Sequence, residues 1–373
     1  MPSFHDKLRP AETRKLLALD GGGIRGMITI EVLARIEALL QERLGRGDDF
    51  VLADYFDYVA GTSTGAIIAT CVSLGMRVDA IRSFYIESGP AMFDRAGLLR
   101  KFHYKFEDEP LAQQLKNVIG PDTTLGSERL RTLLMIVLRN ATTDSPWPLS
   151  NNPAAMFNAP GVRGCNTGFS LWQLVRASTA APTFFPPEVI QVGDHGFVFV
   201  DGGVTMYNNP AFHLFLMATV QPYNLNWPSG EEKMLLVSIG TGTAAEANEN
   251  LLPGEMNLLY NASSIPSALM LAALNEQDFL CRTFGKCVVG DVLDGEIGDM
   301  IGAAGPAMPK LFTYARYNAD LTPEGMNALG ISDVDPIKAR RLDAIDSIGD
   351  LQKIGRAVGQ KRVSADHFEG FLG

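Results

Sequence analysis

The chain has 373 residues (40.4 kDa), 46% hydrophobic and 20% charged, a balance that excludes a disordered polypeptide. Its 37 glycines and 21 prolines follow no triplet period, which excludes a collagen-like rod. With 32 Lys+Arg against 42 Asp+Glu the net charge is −10, which argues against a broad nucleic-acid-binding surface.

From the N-terminus, MPSFHDKLRPAETRK lacks the apolar core of a secretory signal. Residues 15–19 (KLLAL) read as a buried strand that runs into a glycine loop, DGGGIRG. Residues 27–44 carry apolar residues at helical spacing. Residues 55–60 (YFDYVA) read as a strand and 66–74 (AIIATCVSL) as a buried helix, so strand–loop–helix repeats and implies a parallel sheet with right-handed crossovers. Further strands are expected at 132–138, 197–200 and 234–239, with a long irregular loop at 144–161. Beyond residue 245 the pattern is mainly helical, with periodic stretches at 265–284 and 337–358. Residues 266–290, apolar with a polar centre, read as a core helix covering the sheet edge, or as a lining for a substrate channel or regulatory pocket.

No uncharged apolar run reaches the ~18 residues of a membrane-spanning helix. The longest candidate, residues 60–76, is interrupted by Gly61, Thr62, Ser63, Thr64 and Gly65. The expectation is a soluble, cytosolic protein that meets a membrane only at its surface. Cys71, Cys165, Cys281 and Cys287 form no C-x-x-C pair, so buried free thiols are expected rather than a zinc site or a disulfide framework.

Two motifs carry chemistry. Gly21-Gly22-Gly23-Ile24-Arg25-Gly26 fits G-x-G-x-x-G. Its backbone N–H groups could face an oxyanion, a dinucleotide phosphate, or nothing beyond a tight turn. Arg25 inside the loop, and the lack of a clear acid ending a second strand ~20 residues on, count against a dinucleotide. Gly61-Thr62-Ser63-Thr64-Gly65 is G-x-S-x-G between an expected strand and an expected helix, the setting in which Ser63 is a nucleophile. The bland alternative is a serine helix cap. None of the five histidines has a distinctive setting, although His195 and His213 remain fallback bases. Asp201, at the end of FVFV and followed by Gly202-Gly203, is the stronger base candidate, against the alternative of a turn aspartate bonding its own backbone.

DGGGIRG, GTSTG, ASTAAPTFFPP at 177–187 and DGGVTMYNNP at 201–210, in that order, resemble the patatin-like phospholipases over roughly residues 14–245. The resemblance implies a three-layer α/β/α sandwich with a central, mostly parallel sheet. Residues 12–245 would be the catalytic domain, and the mainly helical 246–373 would pack on the same globule. It also implies a Ser63–Asp201 dyad without histidine, an oxyanion hole from Gly22 and Gly23 N–H with Arg25 nearby, and acyl-ester hydrolysis of phospholipids or related lipids. No cofactor and no metal are implied. Arg100, Lys101, Phe102 and Lys105 lie in a basic, aromatic stretch that could dock on an anionic membrane or close over the site as a lid; a half-buried structural segment is the alternative. The tail is similar to bacterial family members, some of which are anti-phage effectors gated by a cyclic nucleotide. A nucleotide-binding protein and a silent storage or scaffold protein are the competing classes.

Overall fold

A computed structural model describes residues 3–93, 110–159, 161–162, 164–182, 184–243 and 258–372. The apolar runs form the centre of a sheet. Strand β1 (Arg14–Leu19) is buried along nearly its whole length. So are β2 (Tyr58–Thr62) and β3 (Leu133–Asn140). Strands buried on both faces need helices on both sides. Around them lie β4 (Ser145–Ser150), β5 (Glu188–Val192), β6 (His195–Asp201), β7 (Met234–Ile239), β8 (Lys286–Val289) and β9 (Thr313–Tyr317). The order across the sheet is β5-β6-β3-β2-β1-β7-β9-β8, with β4 paired to β3. From β3 to β8 every neighbour is parallel, and β4, β5 and β6 are the antiparallel additions. This is the mostly parallel α/β architecture expected from the sequence.

The principal helices are α1 (Gly26–Arg43), α2 (Thr64–Ser73), α3 (Val78–Phe93), α4 (Pro110–Ile119), α5 (Leu171–Ser178), α6 (Ala211–Thr219), α7 (Leu258–Phe284) and α8 (Ile348–Arg362). Side chains an odd number of residues apart on a strand point to opposite faces. On β2, Tyr58 reaches Met217 of α6, and a Cβ on Gly61 would point at Gly65 of α2. Thus α2 and α6 cover opposite faces of the sheet. The buried Glu31 carboxylate of α1 accepts from Arg82 of α3 at 2.7 Å and from Arg356 of α8 at 3.2 Å, so the last long helix is anchored to the first.

Strand β3 acts as a ruler for the site. Its edge along Met135–Asn140 is taken by β4, so β2 and β6 share the other edge. There Thr62 lies opposite Val137, and Asp201 lies opposite Leu138, the next residue. The residue after Thr62 therefore emerges beside Asp201.

Several expected elements shift. The strand placed at 55–60 starts only at Tyr58, where the chain comes alongside Leu16; Tyr55 ends a short helical turn, Leu52–Tyr55. The loop placed at 144–161 begins with β4. Pro146 and Pro148, two residues apart, direct their missing donors to the same free edge, so they leave pairing with β3 intact. The helix expected over 337–358 is divided into a short turn, Pro336–Ala339, and α8. Beyond residue 245, β8 and β9 accompany the helices. The four cysteines are unpaired, with Cys71, Cys281 and Cys287 buried. Among the described residues no helix is long and apolar enough to cross a membrane.

Candidate active site

The turn from β2 into α2 is very tight. A Cβ on Gly61 would stand 2.1 Å from the Gly65 carbonyl oxygen, and one on Gly65 would stand 2.2 Å from the Leu19 carbonyl oxygen. Neither position tolerates a side chain, which is the physical content of the two outer glycines of GTSTG. Between them Ser63 is held at φ 54°, ψ −123°, a conformation that costs a non-glycine residue ~1–3 kcal/mol. Ser63 occupies the N-cap position of α2, yet its hydroxyl makes no capping bond. Instead Oγ donates to Asp201 Oδ2 at 2.6 Å.

Asp201 also behaves as a turn aspartate, since its Oδ1 accepts the Gly203 N–H at 2.6 Å. One oxygen closes the DGG turn and the other faces Ser63, so the two readings of this residue coexist. Burial raises the Asp201 pKa to about 6; the bonds from Ser63 and Gly203 and the positive charge of Arg176 pull the other way. A carboxylate whose pKa lies within about one unit of neutral pH is suited to taking and returning a proton.

Ser178 supports the elbow. It accepts the Ser63 N–H at 2.9 Å and donates to Val137 O at 2.7 Å, pinning the strained backbone to β3. Sequence reasoning did not single it out, although it lies within ASTAAPTFFPP.

The glycine loop packs against this pair. A Cβ on Gly21 would lie 2.3 Å from Asn208 Oδ1 and 3.3 Å from Ser63 Cβ. The Gly21 N–H is spent on Asn208 O, and Gly22 O is taken by the Arg25 N–H. Among the described residues no acceptor takes the N–H of Gly22 or Gly23, and both residues are partly exposed. Arg25 forms no ion pair among the described residues, and its Nε is buried without a hydrogen-bond partner. Burial lowers its pKa, with the nearby Asp20 charge opposing. Asp20 is fully buried and held by both arms of Arg316, at 3.0 and 2.6 Å, from 296 residues farther along the chain. Burial works against the Arg316 charge, but Asp20 more than compensates and its pKa rises. Arg316 was not anticipated, because β9 was not.

The fallback histidines are elsewhere. His195 is exposed at the start of β6, six residues and ~20 Å of strand from Asp201. His213 is buried between Tyr207 and Tyr223, its ring centroid 4.3 Å from that of Tyr207, and burial lowers its pKa to about 4. Arg100, Lys101, Phe102 and Lys105 lie outside the described residues. Among the described residues no group of three or more His, Cys, Asp or Glu could hold a metal ion.

Residues 17–215 match a family model described as patatin-like phospholipase. Patatin-T5 of Solanum tuberosum is 31% identical over 248 residues, covering 62% of this chain and 61% of that protein. The cGAMP-activated phospholipase of Vibrio cholerae is 30% identical over 211 residues, covering 53% of this chain and 56% of that one. The chain thus spans about three fifths of the length of these curated relatives. Among solved structures, VipD from Legionella pneumophila aligns over 92% of this chain and 67% of its own, at 16% identity and a TM-score of 0.35.

Proposed function

The chain belongs to the patatin-like phospholipase family, and from that membership we propose that it is a serine acyl-ester hydrolase removing fatty acyl chains from phospholipids or related lipids. The observation that carries this reading is the 2.6 Å hydrogen bond from Ser63 Oγ to Asp201 Oδ2 at a strained strand-to-helix elbow. As Oγ attacks the ester carbonyl carbon, Asp201 takes the hydroxyl proton. The carbonyl electron pair moves to oxygen, where the Gly22 and Gly23 N–H groups receive it and Arg25 adds positive charge. The N-terminus of α2 contributes its dipole at the same place. Collapse expels the alcohol portion of the lipid, which leaves with the proton from Asp201. Water then attacks the acyl-Ser63 carbonyl and gives its proton to Asp201. The second collapse releases the fatty acid and returns that proton to Ser63. Contact with the membrane is peripheral and lasts for the turnover.

The test is release of free fatty acid from mixed phospholipid vesicles with EDTA present. Wild type is compared with Ser63→Ala and Asp201→Asn, each checked for folding by circular dichroism. Both variants are expected to lose about a thousandfold or more in rate. An active Ser63→Ala protein removes the nucleophile assignment, and an active Asp201→Asn protein removes the base. A second reading, of biological role, rests on the Vibrio cholerae relative whose name states activation by cGAMP. In that role this chain is an anti-phage effector, silent until a cyclic nucleotide binds. The same vesicles with and without a panel of cyclic di- and trinucleotides decide it: full activity with no added ligand rules out gating.

A further inference from the structure

A groove of about 610 Å³ opens along the segment that follows Asp201-Gly202-Gly203, with Val204, Thr205 and Met206 in its lining. We propose that it seats the acyl chain of the substrate, between Val204, Thr205 and Met206 on one wall and Leu269, Met270 and Ala273 of α7 on the other. The proposal rests on the reading of Ser63 as the nucleophile, and it names the part of the lipid that this site selects.

Proximity to Asp201 is the first argument. The first wall follows directly on Asp201-Gly202-Gly203 in the chain. Across the groove, Met270 Cε lies 3.6 Å from where a Cβ on Gly203 would stand, and that point is 3.0 Å from Asp201 Oδ1. The second argument is chemical. The Thr205 hydroxyl is turned back on Gly202 O at 2.7 Å, so it presents no free donor to the groove. Arg139 and Asp144, which also line it, pair with each other and leave no unbalanced charge. Among the described lining residues no cation is left unpaired for a phosphate head group, whereas Val204, Met206, Leu269, Met270 and Ala273 offer apolar surface to a hydrocarbon chain. The third argument is exposure. Val204, Met206 and Leu269 are 36%, 45% and 65% exposed around one concavity, an arrangement that folding alone does not reward. The volume falls within the ~300–1,000 Å³ typical of sites for small organic ligands. Positions 269 and 273, one helical turn apart, present one continuous face of α7 to the chain.

The experiment compares kcat/KM for p-nitrophenyl butyrate and p-nitrophenyl palmitate in wild type, Ala273→Phe and Leu269→Asp. Each methylene seated in the groove is worth about fourfold in wild type. Either substitution is expected to cut the palmitate-to-butyrate ratio at least about tenfold, by filling or wetting the seat. Leu269→Asp changes a largely exposed side chain, so it reports on the groove even where the bulkier Phe disturbs folding. Ile337→Ser, an exposed apolar position outside the groove, should leave the ratio unchanged. A ratio unaltered by both groove substitutions overturns the proposal. Binding of a fluorescent palmitate analogue to Ser63→Ala, with and without Ala273→Phe, separates the two levels. An active Ser63→Ala protein sinks the nucleophile, whereas palmitate binding indifferent to Ala273→Phe sinks the groove.

Discussion

Asp201 shows how much a single buried group can govern. Its pKa of about 6 lies above the ~4 of a carboxyl group in an unfolded chain. Between those values the folded protein holds a proton that the unfolded chain has released. Stability therefore falls as pH rises through this window and stays lower above it, by about 3 kcal/mol for two pH units. Activity should move the opposite way, because only the carboxylate can accept the Ser63 proton. We expect kcat/KM to rise with pH about a midpoint near 6, read from a pH–rate profile with a water-soluble ester. Asp201→Asn removes the buried charge while keeping an acceptor for the Gly203 N–H. It should be inactive yet more stable than wild type at pH 8 by up to about 3 kcal/mol, a gain that vanishes below pH ~4. Urea melts at the two pH values check this, and a destabilised Asn variant at pH 8 would contradict it. At this scale Ser63 and Asp201 were legible from the strand-to-glycine context of their motifs. Ser178 was not, because a serine that receives one backbone N–H looks like any other serine.

Among the elements, β9 is the one whose absence would be felt farthest away. Arg316 carries a guanidinium into the interior, where it pairs with Asp20 at the base of the glycine loop, donates to Ser238 Oγ at 2.7 Å, and approaches Asp278 of α7. Asp278 is held in turn by Arg282 at 2.7 Å and by the Tyr314 hydroxyl at 2.9 Å. The base of the glycine loop and helix α7 thus share one buried charge network. Arg316→Gln leaves Asp20 buried and unpaired, which should cost about 3–5 kcal/mol in urea unfolding. Lys in its place has the charge without the fork, so it should recover only part of that loss. Asp20→Asn combined with Arg316→Gln should be less destabilised than Arg316→Gln alone, because no orphan charge remains. If Arg316 positions the loop, kcat should fall more than KM rises in the folded fraction; a change confined to KM would show that it does not.

For the whole molecule, the C-terminal third completes the same sheet that positions Ser63 and Asp201. β9 pairs with β7, α8 packs on α1, and the buried Glu31 receives Gln352 and Arg356. A chain ended at Thr243 would strip one edge of β7, leave Asp20 without Arg316, and expose the α8-facing side of α1. We expect it to lack a cooperative thermal transition by circular dichroism. A cooperative transition would show instead that the first two thirds fold alone.

The amino-acid sequence by itself determined the alternation of strand, glycine turn and helix, the glycine-flanked turn around Ser63, the carboxylate at a strand end, and the resemblance that joins them. Those are local patterns: a run of apolar residues, glycines at fixed offsets, an acid before two glycines. Only the tertiary structure decided what stands next to what. The juxtaposition of Ser63 and Asp201 is set by their shared edge on β3, residues distant from both in the chain. The partner of Asp20 comes from a strand that periodicity did not announce, because five residues buried on both faces alternate in nothing. The groove wall exists because α7 crosses beside the DGG turn, a packing outcome that depends on all the helices covering that face at once.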